Sequence, residues 1–201
     1  MRRTWLILGC AVAIVALAGC SKPPEEQIEQ AKQAVQEAQS ADAATYAAQE
    51  LSAVEDAQKR LDAELKLQEE KFALFRSYKQ ATVLAGEVKT AGEQASAAAA
   101  AGKEQARQEA TQQIADTQVL LDEVRALLAK APRGKGSEAD IAAMTADLDA
   151  VGAALAEANG SLQSGDYRDA QNKASAAQAS AQQVKTDIET AIEMRSAAQR
   201  K

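Results

Sequence analysis

Two cysteines, no histidine and a surplus of carboxylates set the chemistry open to this 201-residue chain. Without imidazole, neither a Ser-His-Asp nor a Cys-His arrangement can form, and the usual zinc ligand sets are incomplete. The 29 Asp and Glu residues outnumber 23 Lys and Arg, a net charge of −6. Paired carboxylates can act as acid and base or hold calcium. Here they are scattered among Lys, Arg and Gln, the pattern of a solvated helix face. No EF-hand or Gly-rich phosphate loop occurs, and Gly134-Lys135-Gly136-Ser137 lacks the Walker spacing. The acidic balance opposes nucleic-acid binding, which needs clustered Lys and Arg. The small basic group Lys130, Arg133 and Lys135 suits a helix C-terminus instead. These residue types predict no catalytic site, no metal site, no cofactor and no nucleic-acid partner. Two side chains keep covalent chemistry in prospect: the thiol of Cys20 and the amine of Lys201.

Cys20 closes a recognisable segment. Arg2 and Arg3 form a charged start, and residues 6–18 are apolar or small, with Trp5 at the front edge. That run is shorter than the roughly 20 apolar residues of a spanning helix and has the anatomy of an export signal. It ends in Leu17-Ala18-Gly19-Cys20, which resembles the lipobox of bacterial lipoproteins. The resemblance implies cleavage between Gly19 and Cys20 and a diacylglycerol on the Cys20 sulfur. It also implies acylation of the freed amine with a chain of the palmitate class. Leu17 would fill an apolar enzyme pocket, with Ala18 and Gly19 permitting close backbone approach. Ser21 in the following position implies the outer membrane, facing the periplasm, with the inner membrane and the cell surface as alternatives. Arg2-Arg3-Thr4-Trp5-Leu6 also has some likeness to a twin-arginine signal; the ordinary secretory route is expected, because nothing downstream suggests a cofactor loaded before export.

The elements that follow are expected to be all-α. Ala, Gln, Glu and Lys dominate, only three prolines occur, and β-branched or aromatic runs are absent. Removal of the leader would take Cys10 and Trp5 with it, leaving a single cysteine and hence no intrachain disulfide. Residues 20–24 form a lipidated tether, and Pro23-Pro24 followed by Glu25 and Glu26 suits a helix start. Ile28, Ala31, Val35 and Ala38 share one face. A break over 40–45 precedes Leu51, Val54, Gln58, Leu61 and Leu65, and Phe72, Phe75 and Tyr78 continue the bulky set as expected core. The alanine-rich stretch 91–110 buries little area, with Gly102 its expected break. Ala131-Pro-Arg-Gly-Lys-Gly-Ser137 reads as a linker, with Ser137 starting a capping box, and Gly165-Asp166 as a tight reversal before a last helix from Tyr167 to about Ala198. The expected division is thus 1–19 signal peptide, 20–24 tether, 25–130 first helical region, 131–137 linker and 138–201 second helical hairpin.

Two parts of the chain echo each other. Leu51, Val54, Gln58, Leu61 and Leu65 align with Leu148, Val151, Leu155, Ala158 and Leu162, and Tyr78, Ala81 and Ala85 align with Tyr167, Ala170 and Ala174. The predicted architecture is therefore elongated antiparallel hairpins, a coiled-coil-like bundle of two weakly similar halves. Tyr46-Ala-Ala-Gln-Glu-Leu51, with Ala57 and Leu61, resembles the YAPxEL…A…L stretch of a bacterial lipoprotein domain family of unknown function, and Gly165-Asp-Tyr-Arg-Asp-Ala170 matches that family's GDYxxA segment. The chain departs from the pattern at Ala48, where proline is usual, and has no Gly-Asp before Tyr78. Relatives are often outer-membrane lipoproteins. The tyrosines also resemble those of tetratricopeptide helices, although the 34-residue period is missing; Tyr46, Tyr78 and Tyr167 are read as packing wedges.

The functional expectation is a non-enzymatic structural or interaction protein of the cell envelope, a scaffold or spacer held to a membrane by the lipid on Cys20. Self-association along the alanine seam would supply burial that a narrow seam lacks. One alternative joins Lys201 to peptidoglycan, as in the small enterobacterial lipoprotein that also ends in Arg-Lys. Another is a tetratricopeptide-like peptide-binding groove.

Overall fold

The computed structural model describes residues 22–131 and 138–199. Among these the chain forms six α-helices and no strand, as the composition requires. The helices are α1 (Glu25–Ser40), α2 (Ala43–Tyr46), α3 (Ala48–Glu70), α4 (Lys79–Ala129), α5 (Glu138–Ser164) and α6 (Tyr167–Gln199), with a 3-10 turn over Ala73–Phe75. The leader, the Ser137 capping box and the residues of the 131–137 linker after Ala131 lie outside the described residues. No described helix is long and apolar enough to cross a membrane.

Helix boundaries follow local chemistry. The Pro24 carbonyl accepts the Ile28 N–H at 3.0 Å, opening α1 where proline's missing N–H costs nothing. Asp42 interrupts the chain with φ 61°, the left-handed conformation that Asp tolerates better than most residues. Gly165 (φ 86°) ends α5, and the Asp166 carboxylate accepts the Asp169 N–H at 3.2 Å to cap α6. Gly102, by contrast, does not break α4. The helix runs through it, with Ala99 and Ala106 buried on either side, and that packing outweighs glycine's propensity deficit of about 1 kcal/mol.

Contacts divide the chain into two compact units, and the division falls between Ala100 and Ala101, inside α4. The units therefore do not part at the 131–137 segment, because α4 beyond Ala100 packs with α5 and α6. In the first unit α1, α3 and the N-terminal part of α4 enclose a core rich in alanine. Ala31, Leu61, Tyr78, Ala81 and Ala85 meet in one cluster, and Ala38, Val54, Ala95 and Ala99 in the next. In the second unit the remainder of α4, α5 and α6 enclose larger side chains, among them Leu121, Val124, Leu148, Leu155 and Ile188.

The echo maps onto this architecture. α3 corresponds to α5 and the start of α4 to α6. Ala81 and Ala85, like Ala170 and Ala174, are fully buried. Beyond the aligned residues, the same offset pairs buried Val88, Ala95 and Ala99 with buried Ala177, Val184 and Ile188. The largest departure is Gln58, exposed whereas Leu155 is 2 % exposed; Leu51 and Tyr167 are half-buried where Leu148 and Tyr78 are buried. The first helices correspond as well. Ile28, Ala31, Val35 and Ala38 take the places of Ile114, Thr117, Leu121 and Val124, a match that alanine for threonine or valine conceals in the sequence.

Candidate functional site

Cys20, Gly19 and Lys201 all lie outside the described residues. What the structure brings into view is a different feature, the connection between α3 and α4. Phe72 and Phe75, expected as core, are 70 % and 76 % exposed, with Leu74 at 72 %. Their spacing fits a helix, but α3 stops at Glu70, and the segment 71–78 turns them outward. The two rings meet at 6.4 Å between centroids, tilted by 51°.

The polar side of this connection is closed upon itself. The Arg76 guanidinium donates to the Glu69 carbonyl (Nη2–O 2.8 Å) and the Lys71 carbonyl (Nε–O 3.0 Å), acceptors that the end of a helix leaves without intrahelical donors. Gln68, 4 % exposed, accepts the Ser77 N–H at 3.0 Å through Oε1 and donates through Nε2 to Glu64 at 2.7 Å. The Phe75 N–H donates to the Phe72 carbonyl at 2.8 Å. Tyr78 then re-enters the core at 5 % exposure. Side chains thus take up the backbone groups that flank the turn while three large apolar side chains face outward.

The position of this loop follows from the register of the first unit. Ile28 near the start of α1 packs with Leu65 near the end of α3. Lys89 Nζ donates to Gln30 at 3.3 Å, and Ala38 lies with Val54, Ala95 and Ala99 farther along. α1 therefore runs antiparallel to α3 and parallel to α4. The start of α1, the end of α3 and the 71–78 loop share one end of the unit.

A second cluster has the composition of a serine–lysine pair. Ser161 Oγ donates to Asp169 Oδ2 at 2.5 Å, and Lys173 Nζ donates to Ser161 Oγ at 3.0 Å and to Asp169 Oδ2 at 2.6 Å. A nucleophilic serine needs a neighbour able to take its proton. Here hydrogen bonding to Asp169 raises the Lys173 pKa, and the bond from Lys173 followed by that from Ser161 lowers the Asp169 pKa. The lysine stays a cation and cannot serve as the base. The cluster ties α5 to α6 beside the Gly165 turn. Sequence reasoning missed it because Ser161, Asp169 and Lys173 come together only across that turn.

In the second unit a half-open cleft of about 350 Å³ is lined by Ile141, Met144, Ile192 and Met194. Its lining is mostly apolar, with Asp140 and Arg195 as the charged members. Among the described residues no group of three His, Cys, Asp or Glu is placed to hold a metal ion. Comparison of the chain with protein-family models, with curated proteins and with solved structures gives no match.

Proposed function

We propose that this chain is a lipid-anchored protein of the bacterial cell envelope, without catalytic activity, that presents helical units at the periplasmic face of the outer membrane as a scaffold or spacer. The observation that carries this reading is Leu17-Ala18-Gly19-Cys20 at the end of a charged and then apolar leader, with α1 beginning only five residues after the cysteine. One acyl chain binds a bilayer marginally, whereas two or three hold it almost permanently, so modification at Cys20 alone suffices as an anchor. Cross-helix pairs such as Arg60–Glu87 (2.9 Å) and Arg125–Asp149 (3.3 Å) lie on exposed faces, in keeping with solvated helices that meet partners through their surfaces. Burial of Tyr78 favours packing over a peptide-binding groove, whereas Tyr167 is half-buried.

Growth of the native host with an alkynyl fatty acid tests the reading. The wild-type chain takes up the label and partitions with membranes in a carbonate wash, and Cys20→Ala loses the label. An unlabelled wild-type chain, or a label that survives Cys20→Ala, contradicts it.

A further inference from the structure

The geometry points to a second bilayer contact: we infer that the Phe72–Phe75 loop inserts its apolar side chains into the membrane that the lipid on Cys20 reaches. This inference rests on the lipid anchor proposed above and adds to it a protein surface that touches the lipid. Three observations lead to it. The loop exposes Phe72, Leu74 and Phe75 together, while Arg76 takes up the Glu69 and Lys71 carbonyls and Gln68 the Ser77 N–H on either side of them, so the apolar groups already face outward. The loop stands at the end of the first unit where α1 begins. Cys20 precedes Glu25 by five residues, and five residues reach at most about 18 Å even when fully extended. A bilayer holding the acyl chains therefore lies within that distance of the α1 start, and the aromatic loop stands at the same end of the unit.

Charge does not choose the surface. Lys22, Lys66, Lys71 and Lys79 stand at this end together with Glu25, Glu26, Glu69 and Glu70, and Arg76 is occupied by backbone carbonyls. The contact is apolar in origin. It resembles the way aromatic and leucine side chains settle at the boundary of headgroups and acyl chains, and it depends little on ionic strength or on anionic lipid.

Removal of the leader would take Trp5, the chain's one tryptophan, so a new tryptophan reports a single place. The test uses full-length Phe75→Trp, lipidated in a bacterial host that also supplies the alkynyl fatty-acid label, reconstituted into phosphatidylcholine vesicles with and without bromine on the acyl chains. Thr45→Trp, an exposed position at the other end of the first unit, is the reference. The inference predicts blue-shifted Phe75→Trp emission that brominated lipid quenches, and Thr45→Trp emission that it does not. Labelled Phe75→Trp that remains unquenched overturns the loop contact and leaves the lipid anchor standing. Blue-shifted emission insensitive to bromine places the loop against a second copy of the chain and also overturns it. A chain without the fatty-acid label overturns both.

Discussion

Gly92 on α4 and Ala34 on α1 approach so closely that a Cβ at position 92 would stand 2.8 Å from the Ala34 carbonyl carbon and 2.9 Å from its Cβ. Backbone cannot yield as a flexible side chain does, so a single methyl group there pushes two helices apart. A Cβ at Gly86, six residues earlier on α4, would meet nothing within 4 Å. Gly92→Ala is therefore expected to lose about 1–2 kcal/mol, overpacking less the gain in helix propensity. Gly86→Ala is expected to gain about 0.5–1 kcal/mol. Chemical denaturation of the two variants checks the opposite signs.

The same close seam limits what the first unit can bury. Its core is mostly alanine, with Val54, Leu61, Leu84 and Val88 as the larger aliphatic members, whereas leucine, isoleucine and valine fill the second. Burial contributes roughly 25 cal/mol per Å² of apolar surface, so the two units differ in local stability. Hydrogen exchange is expected to be faster for the central amides of α1 than for those of α5. Equal protection would show that the alanine seam recovers by close contact what it lacks in area.

The exposed loop and the core beside it respond differently to truncation. Leu61, 4 % exposed, is expected to cost about 2–5 kcal/mol as Leu61→Ala. Phe75→Ser should stay within about 0.5 kcal/mol of the parent, as surface changes do. A large loss at Phe75 in a lipid-free thermal melt would mean that the ring packs within the chain.

Gly165 carries φ 86°, where an L side chain is strained even though space around it is open. Gly165→Ala is expected to cost about 1–2 kcal/mol, and Gly165→Asn less, since Asn tolerates this conformation. Equal losses for the two would place the effect in contacts rather than in backbone geometry.

Acid weakens the second unit in a defined direction. Hydrogen bonds from Arg107, at 2.7 and 2.8 Å, and then from Gln108 lower the Glu104 pKa from 4.5 to about 2. Asp169 is lowered as well, first by Lys173. A carboxylate depressed in the folded state contributes stability that is fully present above its unfolded pKa and lost as pH falls through the folded value. The Glu104 contribution is lost between pH 4.5 and about 2. Lys173, raised by Asp169, has the opposite sense: its contribution is present below the ordinary lysine value of 10.5 and lost as pH rises through the folded value. All these groups are solvated, so the slopes are shallow and salt-sensitive. Glu104→Gln should flatten the acid limb of the Tm–pH curve; an unchanged limb contradicts the assignment.

Helix content, the Pro24–Glu25 start and the Gly165–Asp166 reversal were legible in the sequence because each depends on residues adjacent in the chain. Three features were not. Phe72, Phe75 and Tyr78 have helical spacing whether or not a helix is present, and only the side-chain bonds of Arg76 and Gln68 to nearby backbone show what holds the turn after Glu70. Gly102 is a reasonable break by propensity, yet buried alanines on either side hold it helical. The division between units falls inside α4 because packing partners change there while local sequence preference does not. As for the candidate site, Cys20 is proposed from its leader alone, whereas the outward-facing aromatic loop could be found only by folding the chain.

The account depends most on the sulfur of Cys20. Mass spectrometry of the N-terminal peptide of the protein purified from its native membrane measures it directly. The account predicts a chain that begins at Cys20 and carries a diacylglyceryl thioether. A bare thiol at Cys20, or Gly19 still attached, would contradict it.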